Sequence, residues 1–113
     1  MKTSPPRDLF PGALEMMVLE SLRRQPAHGY ALVQHIQQRS NNLLQVEEGS
    51  LYPALHRMEQ ERLIASEWGA SENNRRARFY RLTASGRKQL AAEQENWRKI
   101  TGAVALVLDF RPA

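Results

Sequence analysis

The sequence predicts one small domain that is mainly α-helical with a small β-hairpin, and three observations lead to this fold class. The chain has 113 residues, which is enough for a single domain with a thin core. Apolar residues recur at helical spacing in four segments. The period then changes to two in a short stretch before the last of these segments, which is typical of a pair of strands.

Composition narrows the class of protein. Hydrophobic residues make up 42% and charged residues 25% of the chain, as in a folded soluble domain. The chain has no cysteine, which excludes disulfides, thiolate metal sites, iron–sulfur clusters and cysteine nucleophiles. The most apolar run, residues 103–108, is far shorter than the roughly 20 residues that span a bilayer. We therefore expect a cytoplasmic protein without a membrane partner.

The first two helices are predicted over residues 11–24 and 29–39, after a flexible leader of residues 1–10. Pro11 suits a first helical turn, where a missing N–H donor costs nothing. Pro26 ends the first helix.

The third helix is predicted from Gly49-Ser50 to about Arg62, with Ser50 as N-cap and Pro53 in the first turn. One face of this helix is apolar and consists of Leu51, Ala54, Leu55 and Met58. The other face is polar or amphipathic and consists of Tyr52, Pro53, His56 and Arg57. The apolar face is expected to lie on the core.

A hairpin and a long helix complete the chain. The strands are predicted over 63–68 and 77–82, around a polar turn at 69–76. Thr83 caps a helix over 84–108. This helix carries a heptad-like apolar stripe made of Leu90, Trp97, Ile100, Val104, Val107 and Leu108. A stripe of this kind on a terminal helix is typical of a dimer interface.

This order of elements is that of a winged helix-turn-helix domain, predicted over residues 11–83, followed by a C-terminal dimerisation helix and short tail over 84–113. In this fold the third helix enters the major groove of DNA. The hairpin, or wing, lies over the neighbouring backbone or minor groove.

Charge supports a nucleic-acid partner. The chain has a formal charge of +4, and six basic residues without an acidic one lie within 73–92. Such a surface binds phosphates in a salt-dependent way. The alternative is a solvated hairpin tip. Because Glu59 and Glu61 would repel phosphate, the first half of the third helix is expected to face DNA.

The polar side chains of the third helix have suitable chemistry. Ser50 can donate to a phosphate at a helix N-terminus. Tyr52, His56 and Arg57 offer donors to phosphates or base edges. Two alternatives remain open: Ser50 is simply an N-cap, and Tyr52 packs on the hairpin.

Three sequence motifs resemble those of PadR-family transcriptional regulators. They are His28-Gly29-Tyr30, the run from Val46 to Leu55 (VEEGSLYPAL), and Arg78-Phe79-Tyr80-Arg81-Leu82-Thr83 with Gly86-Arg87. The resemblance extends over about 11–108, and residues 71–83 are similar to the short branch with one C-terminal helix. A departure is Gln60-Glu61-Arg62, where many members have a glycine.

The resemblance implies a dimeric DNA-binding protein, usually a repressor, that reads an inverted-repeat operator. The DNA contacts that it implies are Ser50, Tyr52, Pro53, Arg75, Arg76 and Arg78, with His28 and Tyr30 near the backbone. The first and last helices would pack across the two-fold axis, and the expected interface is Leu14, Met17, Leu90, Trp97, Ile100, Val104 and Leu108. Some relatives bind hydrophobic or aromatic effectors, which would place such a ligand at Trp97 and Met17. The alternative for Trp97 is plain dimer core.

Other classes of protein fit less well. The histidines lie on different predicted helices, and no nucleophile–base pair, metal-ligand cluster or phosphate loop stands out, so we expect no catalytic residue, metal or cofactor. A non-specific DNA-binding protein and a winged-helix protein-interaction module remain as alternatives.

Overall fold

The computed structural model describes residues 12–109, four helices and a three-stranded antiparallel sheet of order β1-β3-β2. The elements are α1 (Ala13–Arg24), β1 (Ala27–His28), α2 (Gly29–Arg39), α3 (Glu48–Gln60), β2 (Ile64–Ala70), β3 (Arg76–Leu82) and α4 (Ala84–Leu108). The predicted fold class, mainly helical with a small hairpin, is confirmed. The predicted leader and residues 110–113 lie outside the described residues.

A single apolar core joins the three N-terminal helices, the base of the hairpin and the first half of α4. The apolar face predicted for the third helix is buried in this core. The buried hydrophobic residues are Val18, Leu19, Leu22, Leu32, Ile36, Leu51, Ala54, Leu55, Met58, Ile64, Tyr80, Leu82 and Leu90.

The ends of the first two helices follow local backbone chemistry. Gly12 precedes α1 with a φ of 85°, a left-handed conformation that glycine adopts without strain. The helix begins at Ala13, and Pro11, which we predicted as its start, lies outside the described residues. The chain turns after α2 through Asn41 and Asn42, with φ values of 55° and 64°. Asparagine tolerates this region better than most residues.

The strand β1 is missing from the prediction. Its two residues pair with β3, Ala27 opposite Tyr80 and His28 opposite Phe79. A strand of two residues has no measurable periodicity, so only the tertiary structure reveals it. The consequence is that the segment before α2 is joined directly to the hairpin.

The start of α3 differs from the prediction in two ways. The helix begins at Glu48, with Glu47 as N-cap, so Ser50 is not the cap but lies in the first turn. The Ser50 amide donates to the Glu47 carbonyl at 3.0 Å. The earlier start also moves Pro53 into the second turn, where it has no N–H to donate to the carbonyl oxygen four residues before it.

The end of α3 is a tight turn without glycine. The Leu63 amide donates to the Met58 carbonyl at 2.9 Å, and the Arg62 amide donates to the Glu59 carbonyl at 3.0 Å. Arg62 has a φ of 65°. This is a Schellman motif with arginine in the position that usually holds glycine. The departure at Gln60-Glu61-Arg62 therefore leaves the turn into the hairpin intact.

The hairpin strands are longer than predicted. Gly69 and Ala70 belong to β2 and Arg76 belongs to β3, so the turn consists of residues 71–75 only. The Ser71 amide donates to the Arg75 carbonyl at 2.8 Å and closes the turn. We call the hairpin and its turn, residues 64–82, the wing.

The helix α4 begins as predicted, and its first half belongs to the core. The Thr83 hydroxyl caps it by accepting a hydrogen bond from the Gly86 amide at 3.0 Å. Leu90 is only 2% exposed, so our assignment of Leu90 to a dimer interface is wrong: its own chain covers it. The stripe continues beyond this point through the partly buried Trp97 into exposed residues. We call this part of it the distal stripe: Trp97, Ile100, Val104, Val107 and Leu108.

Candidate nucleic-acid interface

The outer surface of α3 has two flanks. At about 100° per residue, Tyr52 and Arg57 lie on opposite sides of the exposed face, with His56 between them. The Tyr52 ring is half-exposed and lies toward α2 and the wing. Ser50 and Pro53 lie with Arg57 toward α1, around a cleft between α1 and α3.

Arg57 is held by α1. Its Nη2 donates to Oε2 of Glu15 at 2.6 Å, and the arginine side chain is 57% exposed. An exposed ion pair of this kind contributes little to stability. It does set the direction of the guanidinium, which lies against α1 and away from the wing. The structure therefore separates Arg57 from the other predicted basic contacts.

A cleft of about 380 Å³ opens between the start of α2, α3 and the wing. We call it the wing cleft. Its lining includes five predicted site residues, His28, Tyr30, Tyr52, Arg76 and Arg78, and one that the sequence analysis missed, Trp68. These side chains come from four elements, β1, α2, α3 and the wing, which the core holds together.

The α2 end of the wing cleft is shaped around His28 and Gly29. The His28 Nδ1 accepts a hydrogen bond from the Ala31 amide at 3.2 Å and so caps α2. The edge of its ring meets Phe79 of β3, with ring centroids 5.2 Å apart. A methyl group at Gly29 would lie within 2.8 Å of Cζ of Tyr52. Glycine at this position is what allows the tyrosine ring to lie over the helix end. Tyr30 is 60% exposed beside it.

The three wing arginines that were predicted to contact DNA fall into two groups. Arg75 is exposed in the turn. Arg76 and Arg78 instead lie over the ring of Trp68, with guanidinium carbons 4.3 Å and 5.5 Å from its centroid. Both distances are within the range of cation–π attraction.

Glu59 and Ser66 fix Arg78 from the side of α3. The Arg78 Nε donates to the Ser66 hydroxyl at 2.8 Å, and that hydroxyl donates to Oε2 of Glu59 at 2.6 Å. The arginine Nη2 lies 3.3 Å from the same carboxylate oxygen. The hydrogen bond from Ser66 and the charge of Arg78 lower the pKa of the Glu59 carboxyl below its ordinary value. We expected Glu59 to repel phosphate. In the structure its carboxylate is paired with Arg78, a cation of the wing, which reduces that repulsion.

The sequence analysis missed Trp68, Ser66 and Glu59 as parts of this site. The positions of Trp68 and Ser66 follow from the hairpin register, in which Trp68 is opposite Arg78 and Ser66 is opposite Tyr80. Glu59 is brought to them from α3 by the packing of that helix on the hairpin. Residues opposite each other share a face of the sheet. The strand alternation would have suggested the Trp68–Arg78 pair if the turn had been predicted at 71–75.

A second concave surface lies between α1, α2 and α4, with a volume of about 400 Å³. We call it the α1–α4 groove. Its apolar lining includes Met16, Met17 and Trp97, so the two residues predicted for effector binding lie at one groove. Glu20 of α1 accepts a hydrogen bond from Gln94 of α4 at 3.2 Å. The pKa of Glu20 is lowered, chiefly by its hydrogen bond with Arg23.

Within residues 12–109, no group of three or more histidine and acidic side chains could hold a metal ion. The helices in this part of the chain are also too short or too polar to cross a membrane. A three-stranded sheet with a basic wing beside an exposed third helix defines the winged helix-turn-helix class of proteins.

A sequence model of the transcriptional regulator PadR-like family matches residues 18–92. The chain belongs to this family, whose members are DNA-binding transcriptional regulators. The transcriptional regulator Rv3488 of Mycobacterium tuberculosis is 32% identical over 88 residues, which cover 78% of each chain.

Solved structures agree with this assignment. A transcriptional regulator from Clostridium thermocellum, Cth-833, has a TM-score of 0.79 at 26% identity and covers 87% of this chain and 95% of its own. The PadR-like transcriptional regulator BC4206 from Bacillus cereus has a TM-score of 0.78 at 28% identity, with 93% and 100% covered. The resemblance drawn from the sequence motifs is thus confirmed for the family and the fold.

Proposed function

We propose that this protein is a cytoplasmic, sequence-specific regulator that binds double-stranded DNA as a homodimer and represses transcription. One observation carries the proposal. The wing cleft gathers an exposed helix face, a helix N-terminus and two wing arginines on one side of the molecule. A DNA duplex offers matching features, base edges in the major groove and phosphates beside it.

Each part of the site has a role in this proposal. The exposed face of α3 enters the major groove with Tyr52 and His56, while Ser50, Pro53 and Arg57 lie at its α1 edge and contact DNA from there. The wing arginines, Arg75, Arg76 and Arg78, neutralise phosphates. The N-terminus of α2 points its amides and its positive dipole end at the backbone, with His28 and Tyr30 beside it.

The homodimer is proposed from the distal stripe. Ile100 and Val104 are each 40% exposed and Leu108 is 55% exposed, which leaves a row of apolar side chains on one helix face. A second copy would cover this row, and a two-fold dimer would read an inverted repeat. Leu14 and Met17 of α1, half-buried beside the core, stay in the proposed interface.

The proposal includes release by a small hydrophobic or aromatic effector. The α1–α4 groove supports it, because Met17 and Trp97 line a space of about 400 Å³ that a small planar molecule would fill. A ligand bound only in this groove would change the position of α1 relative to α4. Trp97 as plain dimer core remains the alternative.

A gel-shift titration tests the main proposal. The probes are the upstream region of the protein's own gene and an unrelated duplex of equal length, each at low and near-physiological salt. We expect a preference for the upstream probe that persists at the higher salt. Equal binding to both probes that disappears with salt would support a non-specific binder. No binding to either would favour a protein-interaction module.

Arg76→Ala is expected to weaken DNA binding and to make it less dependent on salt. Removing one phosphate contact should reduce the slope of log K against log salt by about 1 and weaken binding roughly fivefold near physiological salt. Lys99→Ala removes the same charge from an exposed site on α4 and serves as the control. If Arg76→Ala and Lys99→Ala give the same slope of log K against log salt, Arg76 is not part of the DNA interface.

Gly29→Ala is expected to weaken DNA binding about tenfold, or roughly 1.4 kcal/mol, while the fold stays intact. The new methyl group would displace the half-exposed Tyr52 ring, which can swing into solvent. A double-mutant cycle with Tyr52→Ala measures this, and the two changes should not be additive. Gly49→Ala, with open space around it, is the control. Full additivity with Tyr52→Ala would contradict the mechanism.

A further inference from the structure

Trp68 occupies an unusual place for a tryptophan. It lies in β2 directly opposite Arg78, and its ring is 53% exposed, so it is no part of the core. Burying a large aromatic side chain is favourable, yet about half of this one is left in contact with solvent. Here the ring faces the wing cleft and carries a guanidinium group of each neighbouring arginine.

The two arginines are held to different degrees. Arg78 has Ser66 and Glu59 on one side and the ring of Trp68 on the other. Within residues 12–109, Arg76 has no carboxylate at ion-pair distance, and its contact is the ring at 4.3 Å. The position of the Arg76 guanidinium in the free protein therefore depends on Trp68.

We propose that Trp68 is a positioning residue that fixes Arg76 and Arg78 in the wing cleft before DNA arrives. This inference rests on the proposed DNA-binding function. Arginine loses much side-chain entropy when it is immobilised. A guanidinium that is already stacked on a ring loses less of this freedom when it binds a phosphate, so preorganisation strengthens binding. The Arg76 guanidinium, held by the ring, keeps its N–H donors for phosphate oxygens, whereas Arg78 already donates to Ser66 and Glu59.

The positions of the two arginines and their charges affect the salt dependence of DNA binding differently. The number of phosphates neutralised sets the slope of log K against log salt. Replacing Trp68 leaves both arginines in the chain, so the slope should stay as in the wild type while the affinity falls. Removing an arginine changes the slope itself.

The test compares Trp68→Tyr, Trp68→Leu and Arg76→Ala in the full chain by gel shift over a range of salt. Tyrosine retains an aromatic face, whereas leucine retains bulk without one. We expect Trp68→Tyr to bind within about twofold of the wild type and Trp68→Leu to bind about tenfold more weakly, at unchanged slope. Thermal unfolding of each variant checks that the fold persists, since the ring is outside the core.

A second measurement, made without DNA, tests whether the Arg76 side chain lies over the Trp68 ring. The guanidinium carbon of Arg76 lies 4.3 Å from the ring centroid, so the neighbouring Hδ protons of Arg76 should be shifted upfield in NMR spectra of the wild type. The shift should persist in Trp68→Tyr and disappear in Trp68→Leu. Absence of the shift in the wild type would overturn the proposal, as would wild-type affinity in Trp68→Leu or a slope that falls by about one in that variant. If the shift is present but the wild type binds no DNA, the proposed function fails, and the positioning role fails with it.

Discussion

Gly86→Ala is expected to lower the free energy of unfolding by about 3 kcal/mol, at the upper end of the usual cost of overpacking. Gly86 is buried in the first turn of α4, and a methyl group there would collide with the Leu63 carbonyl oxygen and come within 2.6 Å of Cδ1 of Leu82. A backbone carbonyl cannot swing aside as a side chain can. The Leu63 carbonyl also accepts the Thr83 amide and hydroxyl, so moving it would disturb the cap of the helix.

Urea unfolding followed by circular dichroism, at fixed protein concentration, measures this effect. Gly102→Ala is the matched control, because Gly102 lies in the same helix with open space around it. Alanine there should raise the free energy of unfolding by up to about 1 kcal/mol. A domain of this size is stable by only about 5–15 kcal/mol, so the expected loss would clearly lower the midpoint of urea unfolding. Equal midpoints in the two variants would refute the close approach at Gly86.

Val104→Glu is expected to convert the proposed dimer into a monomer and to abolish operator binding. Each copy would bring a glutamate into the proposed apolar contact, where an unpaired charge is costly. We expect the dissociation constant of the dimer to rise at least about 100-fold, equivalent to roughly 2.8 kcal/mol. An isolated protomer has one α3 and reads a single half-site, so it loses the second set of contacts.

Light scattering at micromolar concentration measures the mass, and the gel shift measures DNA binding. Leu106→Glu is the control: Leu106 is 82% exposed but lies roughly 160° around the helix from Val104 at about 100° per residue. The Leu106→Glu variant should still have a mass twice that of one chain. A wild-type protein that is monomeric, or a Val104→Glu variant that remains dimeric, would contradict the interface.

Helical periodicity predicted most of the fold because each helix lays a row of apolar residues on the core. The buried face of α3, Leu51 to Met58, follows directly from this spacing. Residue preferences at single positions predicted the ends of the helices less well. Ser50 looked like a cap because serine favours that position, yet the helix begins before it, at Glu48, with Glu47 as the N-cap. Element ends depend on a balance of a few hydrogen bonds, which composition does not decide.

The site could be predicted only in part. The residues on α3 and the wing arginines came from motifs, whereas the partners of those arginines depend on strand register. Leu90 was assigned to the interface because the apolar stripe of α4 runs without a break from the core to the exposed end. Periodicity gives the face of a helix that is covered, but it does not say which chain covers it.

The short strand β1 affects how this domain could be recombined with its relatives. His28 is at once the cap of α2, the backbone partner of Phe79 and a ring contact of the same residue. A chimera that exchanges only the hairpin, residues 64–82, would therefore separate the donor's β3 from the segment that supports it. The natural unit for grafting DNA specificity is the continuous stretch 27–82, in which the helix end and the hairpin are inherited together.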